Sequence, residues 1–239
     1  MPAASFDAIV TSPPYNIGIK YRNYRDVKPE ELYLNWLREW ATDAKRVLKP
    51  NGSFFLNIAG SHTMPWMPFE AVSRLRSLFV LQNTFHWIKA ISLDEEKSYG
   101  HFKPVNSERY VTSCHEFVFQ FTLTGRVKLD RLSLGVKYAD KSNVKRWKHT
   151  GGHDLRCRGN VWFIPYPTIQ HYKERPHPAV FPPQLAEFCI RISKAKSVLD
   201  PFVGIGNTGA AAIKCRVKRF VGIDIDETYL QQAREKLVL

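Results

Sequence analysis

A chain of 239 residues, 44% of them hydrophobic, is long enough for one α/β domain with a minor insertion, and it contains no apolar run of bilayer-crossing length. The opening "MPAASFDAIV" lacks the basic leader and apolar stretch of a secretory signal. The four irregularly spaced cysteines (Cys114, Cys157, Cys189, Cys215) form no disulfide framework, so a reducing, intracellular compartment is expected. A formal net charge of +13 implies a polyanionic partner.

"FDAIV" is a short β run that stops at Ser12-Pro13-Pro14-Tyr15. Two consecutive prolines have no backbone N–H and a fixed φ, so this tetrapeptide continues neither a strand nor a helix. From Pro29 a helix is predicted, because Leu32, Trp36, Leu37, Trp40, Ala44, Val47 and Leu48 recur at helical spacing, and "KPNG" ends it. "SFFLNIAG" reads as a buried strand, "FEAVSRLRSLF" as a helix, and "NTFHWIKAI" and "HEFVFQFTL" as strands.

Residues 122–160 then lose periodicity and hold ten basic residues against three acidic ones, with Tyr138, Trp147, His149 and His153 interleaved. Such a concentration reads as a nucleic-acid surface carried on an insertion, more than as a merely solvated loop. Order returns at "GNVWFIPY". "PPQLAEFCIRI" is a helix with proline in its first turn and Leu185, Cys189 and Ile192 on one face. "KSVLDPF" is a strand, "NTGAAAIKC" a helix, "RFVGIDI" a strand and "DETYLQQAREKL" a helix. Strand–helix alternation on both sides of the insertion predicts a doubly wound, mainly parallel α/β sheet, divided as 1–121, 122–160 and 161–239.

Gly204-x-Gly206-x-x-Gly209 follows a strand and opens a helix, and Asp224 ends the next strand. Glycines there either permit tight strand–helix packing or let backbone N–H groups approach a ligand, with the carboxylate accepting from ribose hydroxyls. Only about 30 residues follow, too few for the second half of a dinucleotide site. Asp200 just before the glycines can hold the ammonium of an amino-acid moiety. S-adenosylmethionine therefore suits the segment better than a nicotinamide dinucleotide does, although an oxidoreductase remains a competing class.

"TSPPY", a basic insertion, "HPAVFPPQLAEFCIRIS", "VLDPFVGIGNTG" and "GIDIDETYLQQAREKL", in that order, resemble the β-class amino-methyltransferases of DNA over essentially the whole chain. The resemblance implies a Rossmann-like sheet with one antiparallel strand, in permuted motif order. It also implies S-adenosylmethionine as methyl donor and double-stranded DNA as substrate, and leaves room for a restriction endonuclease counterpart. It assigns catalysis to Ser12, Pro13, Pro14 and Tyr15, and cofactor binding to Asp200, Phe202, Gly204, Gly206, Asn207, Thr208 and Asp224. His177 and Phe181 belong to the element that covers the methionine end. Asn207 stands where the family more often has threonine. Target recognition falls to the insertion, with Lys137, Lys141, Lys145, Arg146, Lys148, Arg156 and Arg158 as DNA contacts.

An exocyclic amine is a poor nucleophile because its lone pair is delocalised into the ring. Two acceptors on its N–H bonds, Ser12 Oγ and the Pro13 carbonyl, can draw the nitrogen toward tetrahedral geometry, and the double proline holds them in place. Tyr15 offers a π-face to a base flipped from the duplex. Serine in the first motif position is the usual choice in cytosine-N4 enzymes of this family, with adenine N6 the alternative. A hydroxyl can also donate, for example to cytosine N3. Attack at cytosine carbon-5 would need a cysteine in a Pro-Cys context, which is lacking. The intact motifs argue against an inactive DNA-binding protein. Trp36, Trp40, Trp87 and His115-Glu116 read as core or strand-end residues, and Trp162 and Tyr166 as core or DNA-facing. His149-x3-His153-x3-Cys157 has ligand-like spacing but lacks a fourth ligand, so no metal is expected.

Overall fold

A computed structural model of the chain describes residues 1–102, 105–142, 144, 146, 153–166 and 180–237. In chain order the elements are β1 (Phe6–Thr11), α1 (Glu30–Val47), β2 (Leu48–Ile58), α2 (Met67–Leu75), β3 (Val80–Ile88), β4 (Ala90–Ser92), β5 (Ser98–Gly100), β6 (His115–Thr122) and β7 (Val161–Phe163). They continue with α3 (Pro183–Ser193), β8 (Ser197–Asp200), α4 (Asn207–Lys214), β9 (Arg219–Gly222) and α5 (Glu227–Leu237).

Helix α1 begins where Pro29 presets the backbone, with Glu30 and Glu31 in its first turn and Lys45 and Arg46 in its last, each sign complementing the helix dipole. Its buried stripe is Tyr33, Leu34, Leu37, Ala41, Ala44 and Val47. That stripe is rotated from the predicted one: Leu32 is 60% exposed, and Trp36 and Trp40 sit at its edge. "KPNG" does not form a loop either. The helix ends at Val47 and β2 starts at Leu48, with residues 49–52 bulged between the pairs Phe6–Leu48 and Ala8–Ser53. A bulge is where a strand tolerates a proline, because the missing N–H is not needed there.

Seven strands form one sheet in the order β7-β3-β6-β2-β1-β8-β9, and β4 and β5 make a separate hairpin. Strand β1 is parallel to β2 and β8, and β8 to β9, while β6 runs antiparallel to both β2 and β3. This matches the single antiparallel strand that the resemblance implies. Two apolar clusters cover the two faces. Phe6, Ile9, Leu56 and Phe121 pack with α1 and α2 on one face. Val10, Phe55, Trp87 and Val198 pack with α3 and α4 on the other.

The chain passes from β1 through α1 to β2 in one direction along the sheet, and from β8 through α4 to β9 in the other. The β1–β8 boundary is therefore the topological switch point, and the crevice beyond the strand ends there is where open α/β sheets bind ligands. Among the described residues no helix is long and apolar enough to cross a membrane.

The described residues of the 122–160 segment take a definite course. Because β6 is antiparallel, Thr122 lies at the sheet edge opposite Ser12. From there the chain docks on the end of α3, where Asp130 N–H donates to Ile192 O at 2.7 Å and Lys194 pairs with Asp130 at 3.1 Å. It returns to the Ser12 edge at β7, which pairs in parallel with residues 86–88 of β3. Leu134 is buried in the core on the way.

Candidate active site

Ser12-Pro13-Pro14-Tyr15 follows β1 directly, at the switch point. Three contacts hold the tetrapeptide and the loop behind it. Thr11 Oγ1 donates to Asp200 Oδ1 at 2.6 Å, tying the ends of β1 and β8 together. Tyr33 of α1 donates its hydroxyl to Pro14 O at 2.8 Å. Behind Tyr15 the buried Asp26 carboxylate accepts from the N–H groups of Asn16 (2.8 Å), Ile17 (3.1 Å) and Ile19 (3.0 Å). The Asn16 side chain meanwhile pairs both ways with the Lys28 backbone. Asn16 has φ of 61°, a left-handed conformation that asparagine tolerates better than most residues. Burial raises the Asp26 carboxyl above its ordinary range, against the pull of those N–H bonds.

The glycine loop lies across the crevice. Gly204 N–H donates to Asp224 Oδ2 at 2.9 Å, and Asp226 N–H to Asp224 Oδ1 at 2.9 Å, so the carboxylate of Asp224 is held beside the loop. Gly206 adopts φ of 84° as the residue before α4, a conformation that L side chains rarely take, and a Cβ there would press on Ala233 of α5. Asn207 donates to Phe181 O at 2.6 Å and accepts from Lys236, linking the cover element, α4 and α5.

Asp200 itself is 1% exposed. It accepts from Thr11, from Thr208 Oγ1 at 2.5 Å and from Phe202 N–H at 3.0 Å. Burial pushes its carboxyl up to about 6, although these three donors pull the other way. It stands behind the cavity wall, so the expected direct hold on a ligand ammonium gives way to bracing the loop.

One cavity of about 660 Å³ joins the two motifs. Ser12, Pro13, Pro14 and Tyr15 line it together with Phe202, Gly204, Asn207, Thr208, Asp224 and Phe181. An aromatic wall closes the glycine-loop end: Phe202 stands edge-on to Trp36 (5.6 Å) and Trp40 (5.1 Å), with Tyr21, Tyr24 and Tyr229 nearby. Among the described residues, Tyr24 Oη, Trp40 Nε1 and Asp226 Oδ2 are buried polar atoms on this wall with no protein partner. Such atoms are costly to bury unless a ligand or water pairs with them.

At the other end Tyr15, Trp87, Lys89, Glu116 and Tyr166 form the wall. Tyr15 Oη donates to Glu116 Oε2 at 3.0 Å and lies 2.7 Å from Ser12 Oγ. A phenol has a single proton, and Tyr15 commits it to Glu116, so Ser12 is the donor to Tyr15. The Ser12 oxygen therefore faces the cavity as an acceptor, and the expected donation to cytosine N3 does not hold. Glu116 also accepts from Asn57 Nδ2 at 2.7 Å and Lys89 Nζ at 3.1 Å. Burial, with the facing Glu116 charge, pushes the Tyr15 phenol well above its ordinary value and keeps it protonated.

Trp36, Trp40, Trp87 and Glu116 are the core or strand-end residues that the sequence suggested, and they line the cavity as well. No local signal separates them from core positions, because Trp40 also packs on Phe54 and Trp87 also packs within the sheet cluster. Trp162 is core, stacked on Phe85 at 4.2 Å, whereas Tyr166 faces the cavity and stacks on Trp87 at 5.5 Å. Asp26 gave no sequence signal at all. Gly206 shapes the loop without lining the cavity.

His177, Lys145, Lys148 and His149 lie outside the described residues. Of the remaining basic candidates, Lys137 and Arg146 are on the excursion between the bridged residues Val136 and Arg156. Lys141 pairs with Asp154 at 3.1 Å, and Arg158 donates to Leu134 O and lies over Phe188.

The chain is 31% identical to the type II methyltransferase M.BglII of Bacillus subtilis, covering 99% of this chain and 65% of that protein. It is 28% identical to the DNA adenine methyltransferase YhdJ of Escherichia coli, covering 99% and 78%. It thus spans just under two thirds of the length of the first of these relatives. The fold superimposes on PvuII DNA methyltransferase (cytosine-N4-specific) with a TM-score of 0.71 at 20% identity, covering 100% of this chain and 82% of that one. It superimposes on the M1.HpyAVI–SAM complex with a TM-score of 0.59 at 22% identity, covering 98% and 89%. The DNA methylase family model matches residues 6–235, so nearly the whole chain, with both motifs and the cavity between them, belongs to the DNA methylase family.

Proposed function

We propose that the protein transfers a methyl group from S-adenosylmethionine to the exocyclic amine of a base flipped out of double-stranded DNA, with cytosine N4 as the target. The observation that carries this reading is the single cavity lined at once by Ser12-Pro13-Pro14-Tyr15 and by the glycine loop with Asp224. The methyl donor is S-adenosylmethionine, which supplies an electrophilic methyl carbon on a sulfonium. The residues present suit it. The glycine loop admits close approach, Asp224 is held where ribose hydroxyls would donate, and Tyr24 Oη, Trp40 Nε1 and Asp226 Oδ2 await partners. A cavity of about 660 Å³ is within the range of small-molecule sites.

Toward the base, Ser12 Oγ and Pro13 O accept from the two amine N–H bonds and concentrate the nitrogen lone pair. Tyr33 and the proline pair keep those acceptors fixed before substrate arrives, so the reaction itself requires no reorganisation of them. Along the Watson–Crick edge cytosine follows its amine with two acceptors, N3 and O2, whereas adenine follows its amine with N1 and the C2–H. Lys89 Nζ on the same wall is a donor for that edge, which together with serine in the first motif position supports cytosine. Adenine N6 is the second reading, supported by the similarity to YhdJ.

Labelled methyl transfer to DNA tests the site. Ser12→Ala should slow single-turnover transfer about 10²–10³-fold, the scale for losing one preorganised polar partner, with cofactor affinity unchanged. A variant as fast as the wild type would remove Ser12 from the chemistry.

A further inference from the structure

We propose that Ser12, Tyr15 and Glu116 form one proton path that fixes Ser12 as an acceptor toward the target amine and carries the amine proton away after methyl transfer. The proposal rests on the reading of the cavity as an amine-methylating site and extends it to a step for which neither motif supplies a base.

The geometry points one way. Glu116 Oε2 takes the Tyr15 proton at 3.0 Å, and Tyr15 Oη in turn takes the Ser12 proton across 2.7 Å. The path ends on a carboxylate fixed from two further sides, by Asn57 of β2 and by Lys89 just beyond β3. Lys89 and Glu116 are largely buried, 22% and 12% exposed at the side chain, which makes their pairing electrostatically stronger than a surface pair. All three path residues line the cavity. On the sheet, Asn57 and Glu116 project to the α3 face along with Trp87, whereas His86 and His115 alternate to the other face. Among the described residues, therefore, no histidine of these strands competes for the proton at this end.

In the reaction the amine nitrogen forms the N–CH3 bond as the S–CH3 bond breaks, and that electron pair stays on sulfur. The nitrogen then carries one proton too many and a positive charge. Its proton passes to Ser12 Oγ as the Ser12 proton moves to Tyr15 Oη and the Tyr15 proton to Glu116 Oε2. Both hydroxyls are restored, the methylated base is neutral, and Glu116 ends as a carboxylic acid beside Lys89. Charge is conserved, because the positive charge of the sulfonium reappears as the proton on Glu116. Tyr15 thus serves the base with its ring and the path with its hydroxyl, while Glu116 acts through Tyr15 as a positioning residue.

The test compares Tyr15→Phe, Glu116→Gln and the double variant with the wild type in single-turnover methyl transfer. Affinities for S-adenosylmethionine and DNA and the melting temperature are measured on each. Each single change should slow transfer about 10²-fold, as loss of a proton-transfer partner does, with both affinities within twofold. The double variant should be no slower than the slower single one, since a path broken once is broken. Single variants within twofold of the wild type, or a double variant whose loss is the product of the two, would overturn the path.

Ser12→Ala separates the two levels. If it alone is slow, the path fails and the site stands; if it too keeps the wild-type rate, the reading of the site itself fails. Should Glu116→Gln not fold, because Lys89 loses its counter-charge, Tyr15→Phe against Ser12→Ala decides by the same criteria.

Discussion

At the scale of single residues, Asp200 has the most unusual position. Its carboxylate braces the ends of β1 and β8 and the first turn of the glycine loop through three uncharged donors, and it does so fully buried. Desolvation outweighs those hydrogen bonds and lifts the group to about 6. The sign follows from linkage. The folded state holds a proton that the unfolded chain has released above about 4, so this group's contribution to stability falls as pH rises from about 4 to about 6. Asp200→Asn removes that slope, and its amide can still accept from Thr11 and Phe202 and donate to Thr208 Oγ1. Denaturant unfolding across pH 4 to 7 should show the variant gaining on the wild type by roughly 3 kcal/mol. Parallel stability curves would mean that Asp200 is ionised without cost.

Residue identity made Ser12 and Gly204 legible in the sequence, because a proline pair and glycines constrain the backbone wherever they stand. Glu116 and Trp36 gave no such sign. What they face is decided by neighbours far away in the chain, and a glutamate at a strand start or a tryptophan at helical spacing looks the same in a core and in a site.

Elements carry the next level. The loop from Asn16 to Lys28 has little core of its own, and its shape depends on Asp26 and Asn16. It presents Tyr21 and Tyr24 to the cavity. Asp26→Ala strips an acceptor from three N–H groups, each costing about 1–3 kcal/mol if left unsatisfied. The loop then opens so that water satisfies those groups, and the expected outcome is a roughly 10- to 100-fold loss of S-adenosylmethionine affinity by calorimetry with a fall of several degrees in melting temperature. Unchanged affinity would show that the loop is not part of the cofactor site. The strand and helix order was readable from periodicity, but the α1–β2 junction was not. The turn residues at 49–52 are absorbed in a bulge, which depends on the partner strand β1 and so on a pairing that periodicity does not contain.

For the whole molecule, opposite chain directions away from the β1–β8 boundary bring residues 12 and 204 to one crevice, so two motifs about 190 residues apart line one cavity. The charge is distributed less simply. The basic segment starts at the far edge of the sheet, docks on the end of α3 and rejoins the site edge at β7, and among its described residues Lys137, Arg146 and Arg156 are exposed. Neutralising these three together should lower DNA affinity and reduce the salt slope by about 0.9 for each phosphate that the variant leaves unneutralised, while S-adenosylmethionine binding is kept. If affinity and slope both stay at wild-type values, DNA lies elsewhere on the Ser12 edge.

Above these parts stands the chemistry of the joined cavity, and the modified nucleoside reports it most directly. DNA methylated by the purified protein with a labelled methyl donor is digested to nucleosides and analysed by mass spectrometry. The expected product is N4-methylcytosine; label found only in N6-methyladenine would contradict the assignment of the base, and label in neither amine would contradict the assignment of the reaction.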